Sequence, residues 1–285
     1  MKRRLFYDRK DARRVPMVGL LQLAVDLKPQ RCVSDVYINE KADVTALVNY
    51  LEGLKASGDH YTYFHAFLTA IGKTIYSRPK LNTFIQNRHL YEHNEVFLAF
   101  VAKMALNDKA EEIMVHIVLD PEDTMETIRE KCVKKLSNLR GEHVTKQGAN
   151  TAIDVLGHLP NIIRVPILGV IKWLDKHGIL PAGLTKDNIY YSSMIVSNLG
   201  SIHCDAIYHN ITDFGTSSSL ATIGEIRDLP VYGEDGELHP RKICEFGVTI
   251  DERIADGFYL SKSIQLMKEY LNKPECLMEP IGPGK

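Results

Sequence analysis

The stretch that decides the fold of this chain is Gly247-Val-Thr-Ile-Asp-Glu-Arg-Ile-Ala-Asp-Gly-Phe-Tyr-Leu-Ser-Lys-Ser-Ile-Gln-Leu-Met-Lys-Glu-Tyr-Leu271. Its first part alternates, with Val248 and Ile250 on either side of a polar residue, which is the period of two that a half-buried strand requires. Its second part predicts a helix that ends before Pro274, because proline cannot continue a helical ladder. The charged loop 251–257 joins the two, a position from which a rigid scaffold aims side chains. Four apolar residues fall on one face of the helix: Leu260, Ile264, Met267 and Leu271.

This junction resembles a known signature. Proteins of the chloramphenicol acetyltransferase-like superfamily, which includes the catalytic cores of 2-oxoacid dehydrogenase acyltransferases, carry His-x-x-x-Asp-Gly between a strand and a helix near the C-terminus. This chain has Asp256-Gly257 followed by Phe258, and it has Glu252 where the family has histidine. The resemblance implies that residue 252 takes the proton from the attacking thiol or hydroxyl, and that Asp256 orients the site through an ion pair.

A second signature, Ser197-Asn198-Leu199-Gly200, ends an apolar run and resembles the same family. There the serine donates a hydrogen bond to the oxyanion of the tetrahedral intermediate, an interaction worth about 2.7–4 kcal/mol. The resemblance also places coenzyme A against Asn198 and Gly257. Taken alone, Ser197 would be the last residue of a strand before a glycine turn.

The resemblance extends from about residue 33 to 271, with its pieces in family order. Ser77–Asn82 resembles a family turn, and Ser219–Glu225 a family strand. It implies an α/β (α+β) fold with a mixed sheet flanked by helices, in one acyltransferase-like domain, 1–285, without a lipoyl or peripheral-subunit-binding domain. It also implies a homotrimer with active sites at subunit interfaces, where coenzyme A and the acceptor enter a channel from opposite ends.

Periodicity predicts the remaining elements. Strands are expected at 33–38, 96–106 and 113–119, the last two as a hairpin. Helices are expected at 44–54 and 63–76. A capping box of Asp123 and Glu126 predicts a helix through Leu139. Residues 1–31 are expected to form an arm that packs over the core, and residues 231–240 a polar hairpin loop. The turn Asp108-Lys109-Ala110 matches the tripeptide of lipoyl domains, a motif with many chance matches.

The segment 151–184 is strongly apolar yet contains Arg164 and Lys172, and Pro166 and Gly169 interrupt it. Three interpretations are open for it. The first is a buried helical hairpin or a subunit contact. The second is one wall of an acyl-chain pocket. The third is a patch that lies on a membrane surface, which would require a cleaner apolar face.

The identity of the base depends on what surrounds Glu252. Burial or the charges of Asp251 and Asp256 would raise the pKa of a glutamate toward neutrality and suit it to proton transfer. An ion pair with Arg253 or with an N-terminal arginine such as Arg14 would keep it ionised and structural. Histidine titrates near neutral pH, and the alternative bases are His203 and His209, which follow the Ser197 strand.

Composition narrows the class of protein. The net charge of −1 gives no electrostatic case for a nucleic-acid partner. His89 and His93 have helical spacing but no evident third ligand, so no metal site is expected. The run 17–25 is too short to span a membrane. Five scattered cysteines without a CxxC pair favour a reduced, cytoplasmic protein: Cys32, Cys132, Cys204, Cys244 and Cys276.

Three functional hypotheses follow. The first is transfer of an acyl group between coenzyme A and a small thiol, hydroxyl or amine acceptor, with Ser197 as oxyanion donor and Glu252 as an altered base. The second is a catalytically silent trimer that serves as a binding or scaffold subunit. The third is a thioester hydrolase or ligand carrier with 151–184 as a lid. The missing histidine favours the second, and the retained Ser197, Asp256 and Gly257 favour the first.

Overall fold

The computed structural model describes residues 9–103, 112–141, 155–185 and 188–283. Nine strands, seven α-helices and four short 3-10 helices lie in these ranges. The strands are β1 Ala12–Val15, β2 Asp35–Asp43, β3 Thr83–Gln86, β4 His89–His93, β5 Val96–Lys103, β6 Glu112–Leu119, β7 Met194–Asn198, β8 Ser219–Tyr232 and β9 Leu238–Asp251. The helices are α1 Gly19–Leu27, α2 Thr45–Ala56, α3 Tyr63–Ser77, α4 Met125–Gly141, α5 Asn161–Lys176, α6 Ala182–Thr185 and α7 Gly257–Asn272.

The main sheet has six strands in the order β2-β9-β8-β7-β5-β6. β7 runs parallel to both of its neighbours, and the other pairs are antiparallel. The expected mixed sheet is therefore confirmed. A second sheet, β1-β4-β3, was not expected from the sequence. Its β3–β4 hairpin turns through Asn87 and Arg88, both with positive φ, as a two-residue turn of this kind requires.

Helices α2, α3, α4 and α7 pack against the main sheet and one another. Phe67 of α3 meets Phe246 of β9 edge to face, with 5.2 Å between ring centroids. Where α3 ends, the Arg78 guanidinium lies 3.7 Å from the centroid of the Tyr259 ring and donates to Ser263 Oγ on α7. The core thus packs against β9 and α7, the strand and helix that flank the 251–257 loop.

Several expected elements are confirmed with shifted bounds. The strand expected at 33–38 begins at Asp35 and continues to Asp43, and the hairpin of β5 and β6 is present. The expected loop 231–240 is shorter, because β8 continues to Tyr232 and β9 begins at Leu238. The lipoyl-like tripeptide 108–110 lies outside the described residues.

The predicted capping box of Asp123 and Glu126 is wrong by one residue. The Thr124 amide donates to Thr127 Oγ1, and the Thr127 amide to Thr124 Oγ1. Asp123 instead accepts from Thr127 Oγ1 and forms an ion pair with Lys131. Asp123 and Glu126 are separated by three residues, and so are Thr124 and Thr127. Spacing alone therefore does not show which of the two pairs caps the helix.

Of the interpretations of 151–184, the buried helical hairpin is wrong for the described residues, and the subunit contact, the acyl-pocket wall and the membrane-surface patch stay predictions. Helix α5 continues through Pro166 and Gly169. Its outward side chains are exposed, among them Ile162 at 84% and Trp173 at 50%. Pro166 removes the donor to the carbonyl of Ile162, which lies at this exposed turn. Among the described helices, none is long and apolar enough to cross a membrane.

Candidate active site

The loop after β9 is anchored by a buried ion pair. Arg253 Nε and Nη2 each lie 2.7 Å from an oxygen of the Asp251 carboxylate, and both side chains are at most 2% exposed. Arg253 Nη1 donates to the carbonyl of Lys28 at 2.8 Å. Arg31 Nε lies 3.8 Å from the same carboxylate. A bidentate pair of this kind fixes geometry, so the loop leaves the sheet in one orientation.

Glu252 points the other way, toward solvent. Its side chain is 40% exposed and forms an ion pair with Lys28, and its amide donates to the carbonyl of Ser34 at 3.0 Å. Neither Arg253 nor Arg14, the partners considered from the sequence, makes this pair. The partner is Lys28, a residue of the segment between α1 and β2.

Asp256 caps helix α7. Its carboxylate accepts from the Tyr259 amide at 2.8 Å, and its side chain is exposed. The expected ion pair of Asp256 is absent from the contacts among described residues, because the carboxylate serves the free amides of the first helical turn instead. Gly257 is the first helical residue, and a Cβ there would meet nothing within 4 Å, so the helix start is open to an incoming group.

Ser197 and Asn198 end β7 and are half-buried. Ser197 lies opposite Thr222 of β8, which lies opposite Gly247 of β9. The turn after them requires Gly200, since a Cβ there would lie 2.8 Å from the Gly224 carbonyl oxygen. The family-like Ser-Asn-Leu-Gly sequence therefore marks a close crossing of two backbones.

Ser197 and Glu252 lie in different rows of the central strands. Gly247 shares the row of Ser197, and Glu252 follows five residues later along β9. A strand rises about 3.3 Å per residue, so the two rows are about 16 Å apart, and two strand spacings separate them laterally. One chain therefore does not bring these two side chains together.

His203 lies at the Ser197 end. It has a left-handed backbone with φ 57°, its side chain is 84% exposed, and its Nδ1 lies 2.6 Å from Glu225 Oε1. Arg227 bonds both Glu225 and Asp205, which completes a surface cluster. His209 is exposed in the same loop. His203 therefore lies on the surface near Ser197. His209 lies on the surface closer to the Glu252 loop, since the amide of Ile211 donates to Asp35, which pairs with Asp251.

A buried polar network around Arg31 was missed in the sequence. Arg31 is 2% exposed and donates to the carbonyls of Thr212, Ile85 and Gly215. Burial raises the pKa of nearby Asp35, which lies opposite Asp251 in the sheet, to about 6. Nothing in the local sequence signals this network, because its partners come from segments more than fifty residues away.

The described residues contain no cluster of three or more His, Cys, Asp or Glu side chains that could hold a metal ion.

Comparison with known proteins finds similarity over the part of the chain that contains both signatures. The model of the 2-oxoacid dehydrogenases acyltransferase (catalytic domain) matches residues 182–279. A relative is the mitochondrial lipoamide acyltransferase component of the branched-chain alpha-keto acid dehydrogenase complex of Arabidopsis thaliana. It is 24% identical over 128 residues, which are 44% of this chain and 26% of that protein. The match to the curated relatives spans at most 34% of their length.

Solved structures show the fold. A probable dihydrolipoamide acetyltransferase from Listeria monocytogenes has a TM-score of 0.59 at 18% identity, over 92% of this chain and 94% of that one. A chloramphenicol acetyltransferase has a TM-score of 0.52 at 10% identity, over 91% and 99%. This chain is thus similar to the catalytic domains of 2-oxoacid dehydrogenase acyltransferases over residues 182–279, and it has the fold of these two solved structures.

Proposed function

We propose that this protein is a coenzyme A-dependent acyltransferase that moves an acyl group between coenzyme A and a small thiol, hydroxyl or amine acceptor. The observation that carries the proposal is the family match at 182–279, which contains both the Ser197 signature and the loop from Glu252 to Gly257. Acyl-CoA and the acceptor are the ligands in this proposal. The scattered cysteines favour a cytoplasmic setting.

In the proposed mechanism Glu252 accepts the proton of the acceptor's thiol, hydroxyl or amine as that group attacks the thioester carbonyl. Ser197 Oγ donates to the oxyanion of the tetrahedral intermediate. When the intermediate collapses, the carbon–sulfur bond breaks, and Glu252 returns the proton to the departing thiolate. Lys28 must leave the Glu252 carboxylate for this step, which its 51% exposed side chain permits. Asp256 contributes by fixing the start of α7.

The separation of Ser197 from Glu252 supports a site shared between chains. The two residues lie about 16 Å apart along the strands of one chain, with two strand spacings between them, so a complete site needs Ser197 from one subunit and Glu252 from its neighbour. A closed ring satisfies this requirement, because each subunit supplies Ser197 to one site and Glu252 to the next. We therefore include the homotrimer, with its sites at subunit interfaces, in the proposal.

One observation favours the alternative of a catalytically silent, trimeric binding or scaffold subunit. The position of the family's histidine holds an acidic side chain that is already paired with Lys28. A carboxylate that stays ionised and paired is a weak base for a hydroxyl or thiol. The fold and the oligomer would persist without turnover in this case.

The experiment that separates these functions is acyl-CoA turnover, followed as free-thiol release across short and medium acyl chains. Wild type is compared with Glu252→Gln, Glu252→His and Glu234→Gln, a control at an exposed turn residue. Turnover that needs an acceptor and is abolished only by Glu252→Gln supports the acyltransferase. Turnover that appears only with Glu252→His shows a scaffold whose base has been lost. Thiol release without acceptor indicates a hydrolase.

A further inference from the structure

A cavity of about 230 Å³ lies beside the Glu252 loop. Its walls are the segment before β2, the turn of the β3–β4 hairpin and the last turns of α5. Arg253, the neighbour of Glu252 in the chain, forms part of the wall. The charged residues that line it are Arg31, Lys172, Asp175, Lys176, Asp213 and Arg253.

The carboxylates at this cavity already accept hydrogen bonds from fixed groups. Asp175 is 2% exposed and accepts from Tyr191 Oη at 2.6 Å, Gln86 Nε2 at 3.1 Å and the Gly215 amide at 3.0 Å. Asp213 accepts from the Arg31 amide at 2.5 Å, from the Cys32 amide and from the Cys32 thiol. The carboxylate oxygens of Asp175 and Asp213 therefore accept hydrogen bonds from the protein itself.

The donors, in contrast, have capacity to spare. Lys172 and Lys176 lie one turn apart on α5, are exposed, and make no ion pair with a carboxylate among the described residues. Arg31 Nε is buried and lies 3.8 Å from Asp251 without a hydrogen bond, so Arg31 contributes its charge rather than a spare donor. Asp251 neutralises Arg253. Counting Arg31 and the two lysines against Asp175 and Asp213 leaves one excess positive charge.

We propose that this cavity binds a small oxyanion, a carboxylate or a phosphate group. Spare donors and an excess positive charge recognise an acceptor-only group, and Arg31 and the Asp175 network hold the walls rigid. The volume is below the roughly 300–1,000 Å³ of cavities that enclose drug-sized ligands, so the ligand is a small molecule and not a nucleotide.

Within the acyltransferase, this site would hold the anionic group of the acyl acceptor, an assignment that rests on the proposed function. Arg253 lines the cavity and follows Glu252 directly in the chain. Its Nη1 donates to the carbonyl of Lys28, the residue paired with Glu252. An acceptor anchored here by its anionic end would extend its nucleophile toward Glu252. The acceptor class is therefore a short acid or phosphate ester that bears a thiol, hydroxyl or amine.

Binding can be measured without turnover, because Trp173 is the single tryptophan of the chain and follows Lys172 directly. Succinate, inorganic phosphate and neutral succinamide are titrated at constant ionic strength, and Trp173 fluorescence is recorded. We expect saturable binding of one or both anions and none of succinamide. Succinate alone indicates a carboxylate site, and phosphate alone a phosphate site.

The variant Lys172→Gln/Lys176→Gln should weaken anion binding about tenfold or more, since both charge-assisted contacts are lost. The control Lys262→Gln/Lys273→Gln makes the same change of net charge at two exposed positions, one on α7 and one just after it, and should bind as wild type does. Equal binding of succinamide, equal loss in both variants, or no loss in either would overturn the proposal.

The two proposals fail differently. Anion binding that follows this pattern without acyl-CoA turnover retains the site and rejects the acyltransferase. Thiol release with any acceptor, while no anion binds, retains the acyltransferase and rejects the site. Anion binding with turnover that responds equally to neutral and acidic acceptors rejects the assignment of the site to the acceptor.

Discussion

Lys28 and Glu252 form an ion pair at the surface, while Arg253, the next residue of the chain, forms a buried pair with Asp251. The first pair joins side chains that are 51% and 40% exposed, and the second joins side chains that are 2% and 0% exposed. Water screens the first pair and cannot reach the second. The two pairs therefore have different roles: one is free to open at the proposed site, and the other holds the loop in place.

The free energy of unfolding should separate these roles. Lys28→Gln should lower it by less than about 1 kcal/mol, because exposed pairs contribute little. Arg253→Ala should lower it by about 3–5 kcal/mol, because it removes the bidentate partner of the buried Asp251 carboxylate and leaves only Arg31 at 3.8 Å. Urea denaturation at pH 7 measures both values. Similar losses in the two variants would contradict the assignment.

Gly215 and Gly236 allow a second comparison, because both have positive φ, 81° and 79°. A Cβ at Gly236 would meet nothing within 4 Å, whereas a Cβ at Gly215 would lie 2.3 Å from the Tyr190 carbonyl oxygen. Gly236→Ala should cost about 1–2 kcal/mol of stability for its backbone conformation alone. Gly215→Ala should cost about 1–3 kcal/mol more for the steric clash.

Urea midpoints of the two variants, measured side by side, give the difference directly. The turn at Gly236 lies at an exposed hairpin tip, so Gly236→Ala serves as the matched control for the backbone effect. Equal losses would show that the chain at Tyr190 moves aside, and that the close approach at Gly215 is not a constraint on the fold.

Much of the fold was predictable from local patterns. Alternation at Val248 and Ile250 and the apolar stripe from Leu260 to Leu271 correctly predicted β9 and α7, because each pattern reflects burial on one side of a regular element. The signatures at Ser197 and Asp256 indicated the mixed sheet, because each resembles a family motif that follows a strand of such a sheet.

The surroundings of the site were not predictable in the same way. The partner of Glu252 is Lys28, 224 residues away in the chain, and neither periodicity nor spacing connects them. Arg31 is buried only because Ile85 and Thr212 supply carbonyl oxygens from distant loops. The burial of helix α5 was not predictable for a related reason. Its apolar composition does not show how many of its side chains are buried against other parts of the same chain.

Asp175 provides a third test, since it fixes the end of α5 to the body of the protein. Its carboxylate accepts from Tyr191, Gln86 and the Gly215 amide. Asp175→Asn replaces one acceptor oxygen by a donor and leaves buried donors unsatisfied, which costs about 1–3 kcal/mol for each such group. Chemical denaturation should show this loss, and the exposed Asp228→Asn should change stability by less than about 1 kcal/mol.

His93 makes stability depend on pH. It is 5% exposed, and burial among Phe84 and Phe97 lowers its pKa from 6.5 to about 4. The unfolded chain binds the proton more readily, so the free energy of unfolding should fall as pH decreases from about 6.5 to 4, by up to about 3 kcal/mol. His93→Gln should flatten this dependence in urea titrations, and the exposed His209→Gln should leave it unchanged.

Asp35 should act with the opposite sign over the same range. Burial raises its pKa from 3.8 to about 6, so the folded state holds this proton more tightly than the unfolded chain does. Its contribution to stability is therefore present at low pH and is lost as pH rises through about 6. Asp35→Asn should make the rise of stability with pH steeper than in wild type. A flatter curve in this variant would exclude the assignment.

The last prediction concerns the division of the site between subunits. Ser197→Ala and Glu252→Gln should each reduce kcat by about 100-fold or more, because one removes the oxyanion donor and the other the base. If one chain supplies Ser197 and its neighbour Glu252, co-expressed variants assemble some sites with both native residues. Random assembly of equal amounts should restore about one quarter of wild-type turnover, measured as thiol release. Separately purified variants, mixed without exchange of subunits, are the control and should stay inactive. Absence of any recovery after co-assembly would place both residues within one chain, against the separation of about 16 Å along the strands.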